Sequence, residues 1–236
     1  MKAVKFTLKG KTAFFKNPEV NSYFYFTYGN IHKPALLGMF GAILGYKGYE
    51  SSFEVYPEYY DKLKELKVAI IPHQEHGCFA RKVQVFNNSV GYASQEQGGN
   101  LIVKEQWLEN PSWMIYVLID DDESQKLSEY LHERKAVYIP YLGKNDHPAI
   151  IENVGVVDLQ MNNSKNIRID SLVKADDFQF DFFHIQFKYE EYLPISLKES
   201  TNHYELAKMI FTDATMIESQ KEVYNDGEKN IIFYWL

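Results

Sequence analysis

One cysteine, Cys78, in 236 residues leaves no internal disulfide framework and no multi-cysteine zinc site, and it fits a reducing compartment. Long apolar runs are missing too. Nothing approaches the roughly 18–20 residues that a transmembrane helix requires, and the opening MKAVKFTLKGKTAFF has no apolar core of the secretory-signal kind. A cytoplasmic protein without membrane contact is therefore expected. Catalytic signatures are scarce: there is no HExxH, no GxSxG and no Walker-type loop. His73, His76 and Cys78 lie close together but lack a distant partner, so neither a metal nor another cofactor is expected. Cys78 has only Arg81 and Lys82 as nearby cations, a poor setting for a nucleophile. The Asp120-Asp121-Asp122 run reads as a helix N-terminus, where negative charge is favourable, rather than as a metal site. Internal repeats and low-complexity tracts are absent as well.

What is present is an ordinary globular composition with two unusual features. The length suits one large domain, or a domain plus a smaller one. Aromatic residues reach 16%, with 18 Tyr and 16 Phe, and the net charge is −7. Taken whole, −7 argues against nucleic acid, since phosphate-binding proteins are usually basic. The charge is uneven, however. Residues 1–49 carry seven lysines against Glu19, a net +6, whereas residues 121–236 carry a net −9. A basic head on an acidic body suggests one surface for a polyanion and another of a different kind, although chance clustering of surface lysines gives the same numbers.

Residues 2–9 alternate, with Val4, Phe6 and Leu8 on one face and Lys5 and Lys9 on the other, which predicts a half-buried strand with a lysine-bearing side. An aromatic stretch over Tyr23–Tyr28 follows the Asn17-Pro18 turn. Pro34 then opens a helix that is apolar on every side over Ala35–Leu44, hence buried all round. Glycine costs about 1 kcal/mol per helix-interior position, so Gly38, Gly41 and Gly45 need reasons. Gly45 is the C-terminal stop, and Gly38 and Gly41 let another backbone or a ligand approach. A short helix near Pro57–Leu66 precedes a strand at Val68–Ile71. Strands at Lys82–Phe86 and Leu101–Leu108 flank a 14-residue polar loop, Asn87–Asn100, and predict a protruding hairpin. Trp113–Ile119 is the next strand. A helix follows with Asp122 and Gln125 as its capping box and Leu127, Tyr130 and Leu131 as its buried stripe; a strand at Ala136–Tyr141 comes after it.

This order is the split βαβ arrangement of an α+β, ferredoxin-like (RRM-like) domain, placed at residues 1–145 with the hairpin inserted at about 73–111. Residues 146–236 form a smaller, mainly β portion, with strands at Ile150–Leu159, Ile167–Leu172, Phe178–Phe187 and Ile231–Trp235 and a short helix near Asn202–Phe211. The fold alone does not give function.

The lead-in to the glycine helix carries the most chemistry. A helix N-terminus attracts phosphate, His32 and Lys33 sit beside it, Asn30 can bond a base or sugar, and Tyr25 and Tyr28 can stack on unpaired bases. A buried helix with a cap and an aromatic core explains the same residues. Arg81, Lys82 and Lys104 give the hairpin a cationic base beneath an amide-rich tip, suited to RNA or a protein, or simply to solvent. A metal-free ribonuclease would have to draw its base and its cation from His32, Lys33 and Tyr46.

These residues resemble a known family. The run from the first strand through Ala13-Phe14-Phe15, the aromatic lead-in and the Leu36-Leu37-Gly38-x-x-Gly41-Ala42-x-x-Gly45 helix is similar to the N-terminal region of the CRISPR-associated Cas-five family, most closely its type I-B form, in the RAMP superfamily. The segments Asn100–Pro111 and Tyr138–Lys144 look like the family's thumb with its return strand, and the strand beyond. The likeness spans roughly residues 1–155. It implies a non-catalytic subunit of the type I Cascade surveillance complex in antiviral defence. Such a subunit grips the 5′ handle of crRNA, folds a thumb over it and against the backbone subunit, docks the large subunit, and meets target DNA only indirectly. The RNA-binding residues so implied are Tyr28, Asn30, His32 and Lys33 in the lead-in, Leu37, Gly38 and Gly41 on the helix, Tyr46 and Lys47 after it, and Arg81, Lys82 and Lys104 on the thumb. In the type I-C branch the corresponding protein is itself the endoribonuclease that processes repeat RNA, using a Tyr near the glycine helix and an adjacent Lys-His pair. Tyr46 matches the first element, but Lys104 is followed by Glu105 and no such pair appears. A separate Cas-six nuclease is then expected to process the RNA.

Overall fold

The computed structural model describes residues 1–19, 24–49, 55–89, 91–92 and 95–234; Tyr23, Val90 and Trp235, which belong to expected elements, lie outside them. The first part of the chain runs β1 (Lys2–Lys9), β2 (Thr12–Ala13), α1 (Lys33–Leu44), α2 (Glu58–Leu63), β3 (Val68–Pro72), β4 (Arg81–Asn87), β5 (Ile102–Glu109), β6 (Ser112–Leu118), α3 (Asp122–His132) and β7 (Ile150–Asp158). The rest is β8 (Gln160–Met161), β9 (Ile167–Arg168), β10 (Val173–Lys174), β11 (Phe178–Asp181), β12 (Lys188–Leu197), β13 (Tyr204–Thr212), β14 (Thr215–Ser219), β15 (Tyr224–Asn225) and β16 (Asn230–Ile231). The class is α+β, with mostly antiparallel strands and few helices.

A four-stranded sheet in the order β3-β6-β1-β7 is antiparallel at every pairing. One face presents Val4, Phe6, Leu8, Ile70 and Ile115 to α1 and α3, with Phe6 edge-on to Phe40 at 6.3 Å. Burial of such large apolar side chains is the dominant stabilising term. The same cluster takes in Leu172, Leu193, Leu197, Met209 and Phe211 from β12, β13 and their surroundings, so residues on both sides of position 145 share one core. The opposite face is not open. Ala3, Ala69, Ile71 and Tyr116 are covered by Leu159, Tyr224, Ile231 and Phe233.

That cover corrects the lysine-bearing face expected of β1. Lys5 is enclosed by the returning chain and bonds Asp226 at 2.7 Å, and Lys9 pairs with Glu152 at 2.7 Å. Both acids come from the acidic half, so the +6 of the first 49 residues does not form one open basic surface.

Three further expectations change. The strand expected at Ala136–Tyr141 does not form, and the strand that follows α3 and pairs with β1 is β7. Val137 and Tyr138 instead donate their N–H groups to the carbonyls of Ile43 (2.9 Å) and Ala42 (3.1 Å), satisfying the unpaired C-terminal end of α1. The helix expected near 202–211 is the strand β13, paired with β12 along its length from Tyr204–Leu197 to Thr212–Lys188; the cross-strand partner overrides the helix propensity of Leu, Ala, Lys and Met. The capping box of α3 sits one residue earlier than expected. Asp121 is extended and accepts from the Ser124 N–H at 2.7 Å, while the Ser124 hydroxyl accepts from the Asp121 N–H at 3.0 Å. Strand structure within the expected 167–172 and 178–187 segments is confined to β9 and β11.

Strands β4 and β5 pair from Arg81–Leu108 to Asn87–Ile102 as a long hairpin, and β2 adds to the base of β5. No described helix is long and apolar enough to cross a membrane.

Candidate nucleic-acid interface

The glycine helix is built as its sequence dictates at both ends. His32 is the N-cap; its Nδ1 accepts from the Ala35 N–H at 3.3 Å, and Pro34 occupies the first turn. Gly45 ends the helix at φ +82°, a left-handed conformation that glycine adopts without strain. Gly41 has a different duty. A Cβ there would lie 2.4 Å from the Cβ of Tyr59, so α1 and α2 pack backbone against side chain. At Gly38 the nearest atom to an added Cβ is Tyr59 Cε2 at 3.9 Å, so helix packing does not demand glycine there.

The helix is not buried all round, as its composition suggests. Ala35, Gly38 and Ala42 are half-exposed and form the floor of a groove of about 840 Å³. Its walls hold Tyr46, Tyr49, Tyr59, Tyr138, Tyr141 and Tyr204, and Lys16 and Lys47 stand at its edge. Among the described residues that line it, none is Asp or Glu. Tyr138 and Tyr141 are 61% and 45% exposed and are presented by the segment tied to the end of α1. Tyr204 stands edge-on to His32 at 5.3 Å, and Tyr49 edge-on to Tyr59 at 6.5 Å.

The groove collects only some of the expected residues. Gly38, Tyr46, Lys47 and His32 line it. Asn30 does not: it is fully buried, its amide donates to the Gly77 carbonyl at 3.0 Å, and its Oδ1 accepts from Trp113 Nε1 at 2.9 Å. Tyr28, Leu37 and Gly41 are also buried, and Lys33 turns into another cavity. For these five the reason is the same, because the hydrophobic core on both flanks of α1 encloses them. Arg81, Lys82 and Lys104 stand on the β4–β5 hairpin, outside the groove. The Arg81 guanidinium lies over Gly29 beside Glu191, whose carboxylate accepts from the Gly29 N–H at 2.9 Å and is raised by burial. Lys82 lies 5.6 Å from the centre of the Trp107 ring. The hairpin's inner face reaches the groove edge through Lys144, next to Gly143, which bonds the buried Glu105 at 3.1 Å.

His32 and Tyr46 line the groove, whereas Lys33 lines the other cavity. Burial lowers His32 to about 3, so the ring is neutral, and its capping bond fixes the proton on Nε2. The Tyr46 phenol is raised by burial and by its bond to Glu123 (2.5 Å), and it accepts from Lys126 at 2.8 Å. Neither group is a base poised near neutral pH.

Tyr49, Tyr59, Tyr204 and Lys16 are not among the candidate residues; the sequence signal for the tyrosines is their count of 18, and for Lys16 its place among the seven lysines of the first 49 residues. Tyr138 and Tyr141 lie in a family-like segment but carried no assigned role.

No family model matches this sequence, and no curated protein does. Solved structures share the fold. A chain of a CRISPR RNA-guided surveillance complex matches 91% of this chain over 90% of its own length, with a TM-score of 0.55 and 13% identity. A chain of the type III-B Cmr-beta complex bound to cognate target RNA and AMPPnP matches 92% of this chain over 86% of its own, with a TM-score of 0.51 and 9% identity.

Proposed function

We propose that the protein is a non-catalytic, RNA-binding subunit of a CRISPR surveillance complex, of the type I Cascade kind and its I-B form. The observation that carries this reading is the groove on α1: six tyrosines, two lysines and, among its described lining residues, no carboxylate, in a molecule of net charge −7. A ligand with flat faces and negative charge fits such a lining, and single-stranded RNA has both. The shared fold with a chain of an RNA-guided complex supports the same reading. The strand order β3-β6-β1-β7, with α1 after β1 and α3 after β6, supports a ferredoxin-like domain, and the β4–β5 hairpin is its thumb. The crRNA 5′ handle lies across the floor at Ala35, Gly38 and Ala42 and stacks on Tyr138 and Tyr141. The hairpin meets the backbone subunit, another face takes the large subunit, and target DNA is met through them. The neutral, capping His32 and the Glu123-bonded Tyr46 support a role without cleavage.

The test is binding of handle RNA by purified protein, with the melting temperature as a fold control. Base stacking is worth about 1–3 kcal/mol per base, so Tyr138→Ala/Tyr141→Ala should weaken binding by at least about tenfold without lowering the melting temperature. Unchanged affinity would sink the site. Repeat RNA incubated in EDTA should remain intact; specific cleavage that is lost in Tyr46→Phe would replace this reading with a metal-free endoribonuclease.

A further inference from the structure

Lys33 follows the N-cap of α1 and is 2% exposed, and its Nζ has no hydrogen-bond partner. An unpaired ammonium in an apolar interior is strongly unfavourable, and such charges are normally paired. Burial accordingly lowers the amine to about 8, with Glu65 acting weakly in the other direction. Beside it lies a cavity of about 180 Å³ between α1, β12, β13 and the chain after β16. Its apolar lining includes Phe178, Ile195, Met209 and Phe233. Glu205 also lines it, but its carboxylate accepts from the Ser196 hydroxyl within the cavity wall. Lys174, Lys221 and Asp177 complete the charged lining. The first turn of α1 adds a favourable potential for negative charge. The Nζ is almost out of solvent contact, so pairing with a ligand requires the side chain to turn toward the cavity.

We propose that this cavity binds a small organic monocarboxylate, its head paired with Lys33 and its apolar body against Ile195, Met209 and Phe178. A single negative charge suits the site, because Glu205 and Asp177 oppose a second. The inference is independent of the RNA reading, since the cavity and the tyrosine groove share no lining residue.

The experiment uses butyrate as the probe, with sodium chloride at equal ionic strength and inorganic phosphate as controls. At pH 7, saturating butyrate should raise the melting temperature by about 2–5 °C over chloride, as expected for a ligand that binds only the folded state. In wild-type protein carrying ¹³Cε-labelled lysine, one resonance should move saturably with butyrate. Lys33→Met should abolish the thermal response. A melting temperature indifferent to butyrate, an equal response in Lys33→Met, or a response to phosphate alone overturns the proposal. Should Lys33→Met fail to fold, the wild-type lysine titration decides: a saturable shift supports the site, and no shift ends it.

Discussion

Asn30 shows how much a single side chain can be worth without touching a ligand. Its amide closes two buried bonds at once, to the Gly77 carbonyl and from the Trp113 indole, and so ties the aromatic lead-in to β6 and to the turn before β4. Asn30→Ala leaves both partners unsatisfied in the core. At about 1–3 kcal/mol for each stranded group, the predicted loss is about 2–6 kcal/mol in chemical denaturation. RNA affinity per folded molecule should stay at the wild-type value, because Asn30 does not line the groove. A folded Asn30→Ala protein with normal stability but lost RNA binding would return this residue to the interface. The residue types were legible in the sequence: an amide, a histidine and a lysine beside a helix N-terminus. Their direction was not. Burial is decided by what packs on α1 from far along the chain, here β12 and β13, and adjacent residues then face different ways. His32 turns to the groove and Lys33 to the cavity behind it.

At the scale of elements, α1 separates two kinds of glycine that its sequence presents as equivalent. Gly41→Ala drives a methyl to 2.4 Å from Tyr59 Cβ, so α2 must shift. Overpacking of this kind costs about 1–3 kcal/mol, which exceeds the roughly 1 kcal/mol gained in helix propensity. Gly38→Ala meets nothing closer than 3.9 Å. It should therefore gain up to about 1 kcal/mol of stability while placing a methyl on the floor where RNA is proposed to lie. The expected pattern is a more stable protein that binds RNA less tightly, read by a melting curve and a filter-binding titration on the same sample. Gly38→Ala with unchanged affinity would put the RNA elsewhere. Elements with local signals were legible: the cap, proline and glycine stop of α1, the hairpin strands, and the acidic start of α3. Those set by distant partners were not. Residues 204–212 carry helix-favouring side chains yet pair with β12, and residues 136–141 look like a strand yet Val137 and Tyr138 donate their N–H groups to the end of α1.

For the whole molecule, the balance of charge decides what kind of RNA binding is possible. The lysine-rich head was visible in the sequence, but its ion pairs were not, because Asp226 and Glu152 lie more than a hundred residues from the lysines they meet. Of the seven lysines in the first 49 residues, Lys5 and Lys9 pair with the acidic half, Lys33 is buried, and Lys16 and Lys47 stand at the groove. RNA bound there, as proposed, would rest on stacking more than on ion release. For single strands the logarithmic salt slope is about −0.7 per neutralised phosphate. Two lysines then give a slope near −1.4, a loss of less than about tenfold between 50 and 200 mM salt. If Arg81, Lys82 and Lys104 also contacted the handle, five cations would give a slope near −3.5 and a loss of about a hundredfold over the same range. A salt titration of the isolated protein with handle RNA therefore separates a tyrosine-lined groove from one that extends along the hairpin. The shallow slope is expected, and Lys47→Glu should flatten it further while Arg81→Glu leaves it unchanged. A steep slope that Arg81→Glu reduces would move the RNA path onto β4.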